Sequence, residues 1–163
     1  MFDAPLKYGL LAALAIALVV AAATDLRSRR IGNGLNAAIA LTAPLFWWAS
    51  GLSPWPDIAA QLGVALVTFA ICAGLFAIRA MGGGDVKLLT ALALWIEPFL
   101  FARLILAMAL LGGILTLLML IGRVFRRQRE QLAVPYGVAI ALAGLWVIAN
   151  DYLPAGSLAS KLG

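Results

Sequence analysis

Ile58–Ile78 reads IAAQLGVALVTFAICAGLFAI. No charged side chain interrupts it, and Gln61 and Thr68 are its only strongly polar residues. Its length matches the ~20 residues a helix needs to cross the hydrocarbon core of a bilayer. The rest of the chain has the same character. Of the 163 residues 64% are hydrophobic and only 12% charged, and mean hydropathy is +1.04. A soluble domain carries about 25% charged residues, and one core of this size cannot hide so much apolar surface. The chain therefore reads as an all-α, polytopic membrane protein.

Composition also excludes chemistry. Histidine is absent and Cys72 is the single cysteine. Ser-His-Asp and Cys-His catalysis, His-ligated metals, haem, cysteine zinc sites and internal disulfides are all removed. No metal or organic cofactor is expected. The net charge of +5 fits basic cytoplasmic loops rather than nucleic acid, which is not expected as a partner.

Working outward from Ile58–Ile78, charges and turn residues delimit five more apolar stretches: Tyr8–Thr24, Leu35–Ser50, Val86–Ile96, Leu104–Ile121 and Val134–Ala149. The first has an acid before it at Asp3 and its basic cluster behind it, the reverse of a signal peptide, so it reads as a retained helix. Nine of the twelve Lys and Arg residues fall in Asp25–Asn33, Arg79–Lys87 and Arg123–Gln131. By the positive-inside rule those loops are cytoplasmic, which gives about six crossings with both termini periplasmic. No linker or soluble region appears, so residues 1–163 form one integral-membrane domain. The fourth stretch is short, because Glu97-Pro98 closes it. From Asp85 to Glu97 a helix would span about 18 Å of a ~30 Å hydrocarbon core. Asp85 is then expected to start its helix below the cytoplasmic surface, where irregular backbone survives only if protein or a watery cavity surrounds it.

Of the seven acidic residues, only Asp25 and Asp85 lie at the cytoplasmic ends of apolar helices. Asp25 closes the first and Asp85 opens the fourth. Two facing carboxyls can share a proton, because like charges at close range do not both ionise cheaply. One then acts as base on a water while the other donates to a carbonyl oxygen. A plainer reading stands beside this: Asp25 paired with Arg29 or Arg30, and Asp85 with Arg79 or Lys87. Gly82-Gly83-Gly84 precedes Asp85. Three glycines allow close backbone approach, positive φ and a change of direction before a helix. They do not form a phosphate cradle, since the GxxxxGK[ST] spacing and a preceding strand are missing.

Asp25-Leu-Arg-Ser-Arg-Arg-Ile31-Gly-Asn33 resembles the first aspartate motif of the type IV prepilin peptidases, an Asp followed by a basic residue and Ile-Pro-Asn. Gly82-Gly-Gly84-Asp85-Val-Lys87-Leu88 is similar to their GxGD-x-K-L motif, and Pro135-Tyr136-Gly137 to a family PYG/PFG segment. The resemblance covers residues from about 10 to 145 of this chain. It implies a membrane aspartyl endopeptidase that removes the basic leader of prepilins after a glycine, at the cytoplasmic face of the bacterial inner membrane. Asp25 and Asp85 would be catalytic, with Gly82, Gly84, Lys87 and Asn33 supporting the site. Membrane lipid, a helical prepilin and the pilus assembly machinery would be the partners. Gly32 stands where the family usually has proline, which leaves the loop after Asp25 less rigid. The CxxC-bearing amino-terminal domain of longer members has no counterpart here. The resemblance is therefore to the short, tight-adherence (Flp) form, and N-methylation of the mature pilin is not expected.

Other residues carry plainer readings. Lys87 reads either as a partner of Asp85 or substrate, or as an interfacial anchor. Asn33 and Asn36 read as hydrogen-bonding loop backbone rather than contacting substrate. Trp47, Trp48, Trp55, Trp95 and Trp146 read as an interfacial belt, Gly112-Gly113 as a helix-packing notch and Cys72 as a small packer. Two rivals share the aspartates. A presenilin-like intramembrane protease would place a Tyr-Asp pair inside a helix, whereas Thr24 precedes Asp25. A proton-linked transporter would place polar residues deep in several helices, and outside the motifs the stretches offer only Thr42, Gln61, Thr68 and Thr116.

Overall fold

A computed structural model describes residues 3–126 and 136–153. All regular structure among them is helical: α1 (Asp3–Ser28), α2 (Asn33–Ala49), α3 (Ala59–Ala77), α4 (Gly83–Ala93), α5 (Pro98–Arg126) and α6 (Tyr136–Val147). A π-helical turn leads into α3 and another follows α6. Among the described residues, each apolar stretch of the sequence falls mainly on one helix. Arg127, Arg129, Glu130, Pro135 and Lys161 lie outside the described residues, as do both chain ends, so the charge count has no structural counterpart there.

The helices divide by length and burial. Pro5–Ser28, Pro54–Ala77 and Pro98–Gly122 are long and apolar enough to cross a membrane. They turn most of their surface outward, through side chains such as Ile16, Leu66, Phe69, Leu110 and Leu117. The short helices α4 and α6 lie inside. α4 packs on α3 and α2; α6 packs between α1 and α5 and touches α4. Leu88 and Leu92 of α4 meet Leu18, Leu104, Ile140 and Val147 in a fully buried core. A helix sheathed by other helices satisfies its own backbone and meets little lipid along its flanks. An 11-residue α4 is therefore tolerable where an isolated one is not. The apolar perimeter and the length of the outer helices are those of a membrane protein.

Three helices run past the ends that charge suggested. α5 starts at Pro98 and not at Leu104; proline suits a first helical position. Arg103 sits inside α5 because it pairs with Asp151 and lies 5.1 Å over the Trp146 ring. α1 continues through Asp25 to Ser28, for a reason given below. α4 opens at Gly83, so Asp85 lies within its first turn and does not begin it. Trp95 is no belt residue: it is 2% exposed, stacks on Phe46 at 4.9 Å, and donates to the Ile39 carbonyl at 2.7 Å. Trp47 donates to the Leu94 carbonyl, while Trp48, Trp55 and Trp146 are exposed. Cys72 is buried. Of the glycine pair only Gly112 meets a neighbouring helix, at the Tyr136 ring of α6.

α1 and α3 stop alike. Arg29 and Arg79 adopt left-handed backbone, φ 52° and 60°, and turn the chain out of each helix. The Arg29 N–H donates to the Asp25 carbonyl and the Ala80 N–H to the Leu75 carbonyl, each at 2.8 Å. The two loops that follow lead straight into α2 and α4, and they carry both aspartate motifs to one end of the bundle.

Candidate active site

Asp25 occupies the last turn of α1, yet only 5% of it is exposed. Burying a carboxylate requires donors, and α6 supplies them. The Val138 N–H donates to Asp25 Oδ2 at 3.1 Å, and the Gly137 N–H lies beside it. These amides open α6, so the carboxylate stands at the positive end of that helix. This is why α1 continues through the charge.

Asp85 is half-buried in the first turn of α4 and faces the backbone N–H of Gly82, the residue that caps the helix. It is near enough to Asp25 to feel its charge. The structure thus brings together two residues sixty positions apart in sequence. Arg29 acts on Asp25 through its charge. Among the described residues, neither aspartate forms an ion pair; the ion pair found there joins Arg103 and Asp151. The simple ion-pair reading of Asp25 and Asp85 is therefore corrected among the described residues: Asp25 accepts the Val138 amide, and neither carboxylate has a cation at ion-pair distance.

Of the properties expected of the glycines, close backbone approach is found and positive φ is not. Positive φ occurs among the described glycines only at Gly51; Gly82 is extended, with φ −73° and ψ 142°. What Gly84 provides is proximity. A Cβ there would stand 3.2 Å from Ile31 Cβ and 3.3 Å from the Ile31 backbone nitrogen. At Gly82 a Cβ would stand 2.9 Å from Asp85 Oδ2. The α1–α2 loop and the start of α4 therefore touch backbone to backbone, with buried Ile31 as the wedge.

Two asparagines stitch the same seam. Asn36, 4% exposed, donates from Nδ2 to the Gly84 carbonyl at 3.2 Å. Lys87 donates from Nζ to Asn33 Oδ1 at 2.8 Å. Asn36 thus does what both asparagines were expected to do, while Asn33 accepts from Lys87 instead. Lys87 reaches Asn33 and not Asp85, on an exposed face of the site. Asn36→Ala is expected to lower stability by about 1 kcal/mol, the worth of one hydrogen bond. Asn36→Asp should cost more, because a carboxylate would then face a carbonyl oxygen. Thermal unfolding of the purified protein in detergent measures both.

Gly137 and Val138 complete the site and were not singled out from the sequence as site residues. Their signal was present in Pro135-Tyr136-Gly137, of which the tyrosine and glycine lie among the described residues. Chemically, the cluster offers two carboxyls that can accept a proton at one oxygen and release one from another.

Comparison with known proteins bears on the same residues. No curated protein and no solved structure matches the chain. A model of the type IV leader peptidase family matches residues 12–121, well over half of the chain. That span contains Asp25, Ile31, Asn33, Asn36, Gly84, Asp85 and Lys87, the residues that meet at this end of the bundle. The protein belongs to the type IV leader peptidase family.

Proposed function

We propose that this protein is an aspartyl endopeptidase of the bacterial inner membrane that removes the basic leader of short, Flp-type prepilins. The observation that carries the reading is the convergence of Asp25 and Asp85 on one site, held by helix-opening amides and by a seam of close backbone contact. One carboxylate takes a proton from water as the water oxygen bonds to the scissile carbonyl carbon. The other carboxyl gives its proton to the carbonyl oxygen. Collapse of the resulting diol breaks the C–N bond: the leaving amine takes a proton from the protonated carboxyl while one diol hydroxyl gives its proton to the other carboxylate, which leaves the pair with the single proton it began with.

The topology belongs to the same reading. Six crossings with both termini in the periplasm put the basic loops, and with them the aspartates, at the cytoplasmic face. The substrate's basic leader stays on that side by the same rule, and its apolar helix enters the membrane just beyond the cut. A helical peptide bond is shielded by its own hydrogen bonds, so the substrate must unwind at the aspartates. Glycine before the cut favours this, being about 1 kcal/mol poorer than alanine in a helix. The partners are then the prepilin, the surrounding lipid and the pilus assembly machinery.

The test is cleavage of a short Flp-type prepilin by the reconstituted enzyme, with products identified by mass. One product should end at the glycine before the apolar segment. Replacing that glycine by valine should slow cleavage about tenfold or more, since about 1.4 kcal/mol of added unwinding and crowding suffices for that. Equal cleavage of both precursors, or a cut within the apolar segment, would overturn the proposed specificity.

A further inference from the structure

The opening turn of α6 comes closer to Asp25 than packing alone requires. A Cβ on Gly137 would lie 2.7 Å from Asp25 Oδ2, 2.8 Å from its Cγ and 2.8 Å from Ile31 Cδ1. The next residue, Val138, donates its N–H to the same Oδ2 at 3.1 Å. Gly137 and Val138 are themselves buried, and the carboxylate is buried against them. The glycine therefore lets the helix end approach the carboxylate, and the neighbouring amide then fixes which oxygen faces it.

We propose that Gly137 is a positioning residue for the peptidase reaction: with the Val138 N–H it pins Oδ2 of Asp25 and leaves Oδ1 as the oxygen that exchanges a proton with water. This inference rests on the reading of Asp25 and Asp85 as the peptidase pair. A backbone N–H can only donate, and the unprotonated oxygen of a carboxyl is its stronger acceptor, so this bond favours Oδ2 as the acceptor and the proton on Oδ1. Oδ1 is the remaining site of proton transfer on Asp25. An alanine at position 137 must push the carboxylate off the helix end or push the helix off the carboxylate. Either displacement moves the reacting oxygen, and about 1 Å of misplacement costs about 100-fold in rate. Gly137 and Val138 are both buried and offer substrate no surface, so binding should change little.

The experiment uses the full chain in membranes and in detergent, with a short prepilin as substrate. Gly137→Ala should lower kcat about 100-fold and leave KM within about twofold, the pattern of an interaction felt only in the transition state. Gly144→Ala is the control on the same helix. Its Cβ would meet the ends of three core leucines, Leu18 Cδ1 at 2.9 Å, Leu92 Cδ1 at 3.6 Å and Leu104 Cδ1 at 3.9 Å, and neither aspartate, so its cost falls on stability and kcat of the folded enzyme should stay near that of the wild type. Adding Ile31→Val to Gly137→Ala deletes the Cδ1 atom in the second contact. Rescue of kcat by that change would show that Gly137 serves packing alone and would overturn the inference. Val138→Pro removes the N–H at the third residue of α6, an amide with no acceptor inside the helix. It should lower kcat at least about tenfold even if Gly137→Ala fails to accumulate, since a lost donor at a developing charge is worth that much or more. Full kcat in Val138→Pro, or in Gly137→Ala, also overturns it. Loss in Asp25→Asn together with full activity in both α6 variants would leave the peptidase reading intact and remove only this inference. Full activity in Asp25→Asn would remove both.

Discussion

Replacing either Asp25 or Asp85 by asparagine is expected to abolish cleavage of the precursor while folded protein still accumulates in the membrane. The loss should be at least about 1,000-fold, within the range by which positioned acids and bases accelerate proton transfer. The amide matches the carboxylate in size, so the core around Leu18, Leu88 and Ile140 is undisturbed. At position 25 the amide oxygen can still accept the Val138 N–H that Asp25 accepts at 3.1 Å. What the amide cannot do is take or release a proton. A role in charge balance alone predicts something else: a change in stability and no effect on the chemical step. Cleavage is followed by gel shift in membranes, with the amount of enzyme measured in parallel. Processing at the normal rate by either variant removes that aspartate from the mechanism.

How far the fold could be read depended on whether a charge announces a helix end or is absorbed by a neighbour. Where apolar stretches run into turn residues, as at Ile58–Ile78, the helix bounds followed closely, and α3 is Ala59–Ala77. Arg103 misled because its charge is met by Asp151 and the Trp146 ring, both far along the chain. Asp25 misled for the same reason, since the amides that receive it belong to α6. A one-dimensional count of charges has no access to such partners. Trp95 is a further case: an indole is as suited to a buried stack on Phe46 as to a membrane boundary, and only its neighbours decide which.

The site was more legible than the helix ends. Two acids stood at apolar ends in a chain with no histidine, which left few candidates for chemistry, and the structure brings those two together. The supporting glycines were legible in part. Three in a row suggest both close approach and positive φ, and the folded chain uses the first at Gly84 while keeping negative φ. α6 was silent for a different reason. It is buried on nearly every side, so no polar stripe distinguishes the end that meets Asp25 from the rest.

Gly83 and Gly84, adjacent and both in the first turn of α4, are expected to respond very differently to substitution. A Cβ on Gly83 would meet the Phe76 ring at 3.3 Å. That ring is the end of an exposed side chain and can swing aside, so Gly83→Ala should leave cleavage within about threefold, a change of well under 1 kcal/mol. A Cβ on Gly84 would stand 3.2 Å from Ile31 Cβ and 3.3 Å from the Ile31 backbone nitrogen. Neither atom can rotate away, and Ile31 is itself wedged against the position a Gly137 Cβ would occupy. Gly84→Val, with two more carbons on that Cβ, should cost about 1–3 kcal/mol in overpacking. It would also strain the Asn36 Nδ2 bond to the Gly84 carbonyl. The larger effect falls on the reaction. Asp85 is the very next residue, so moving α4 off the α1–α2 loop moves one carboxyl relative to the other. A shift of about 1 Å between reacting groups costs about 100-fold or more. Gly84→Ala should lie between the two. Prepilin cleavage and thermal unfolding in detergent, measured on the three variants, separate the terms: cleavage in Gly84→Val should fall far more than its stability explains. Equal activity of the Gly83 and Gly84 variants would show that the backbone seam does not hold the two aspartates in register.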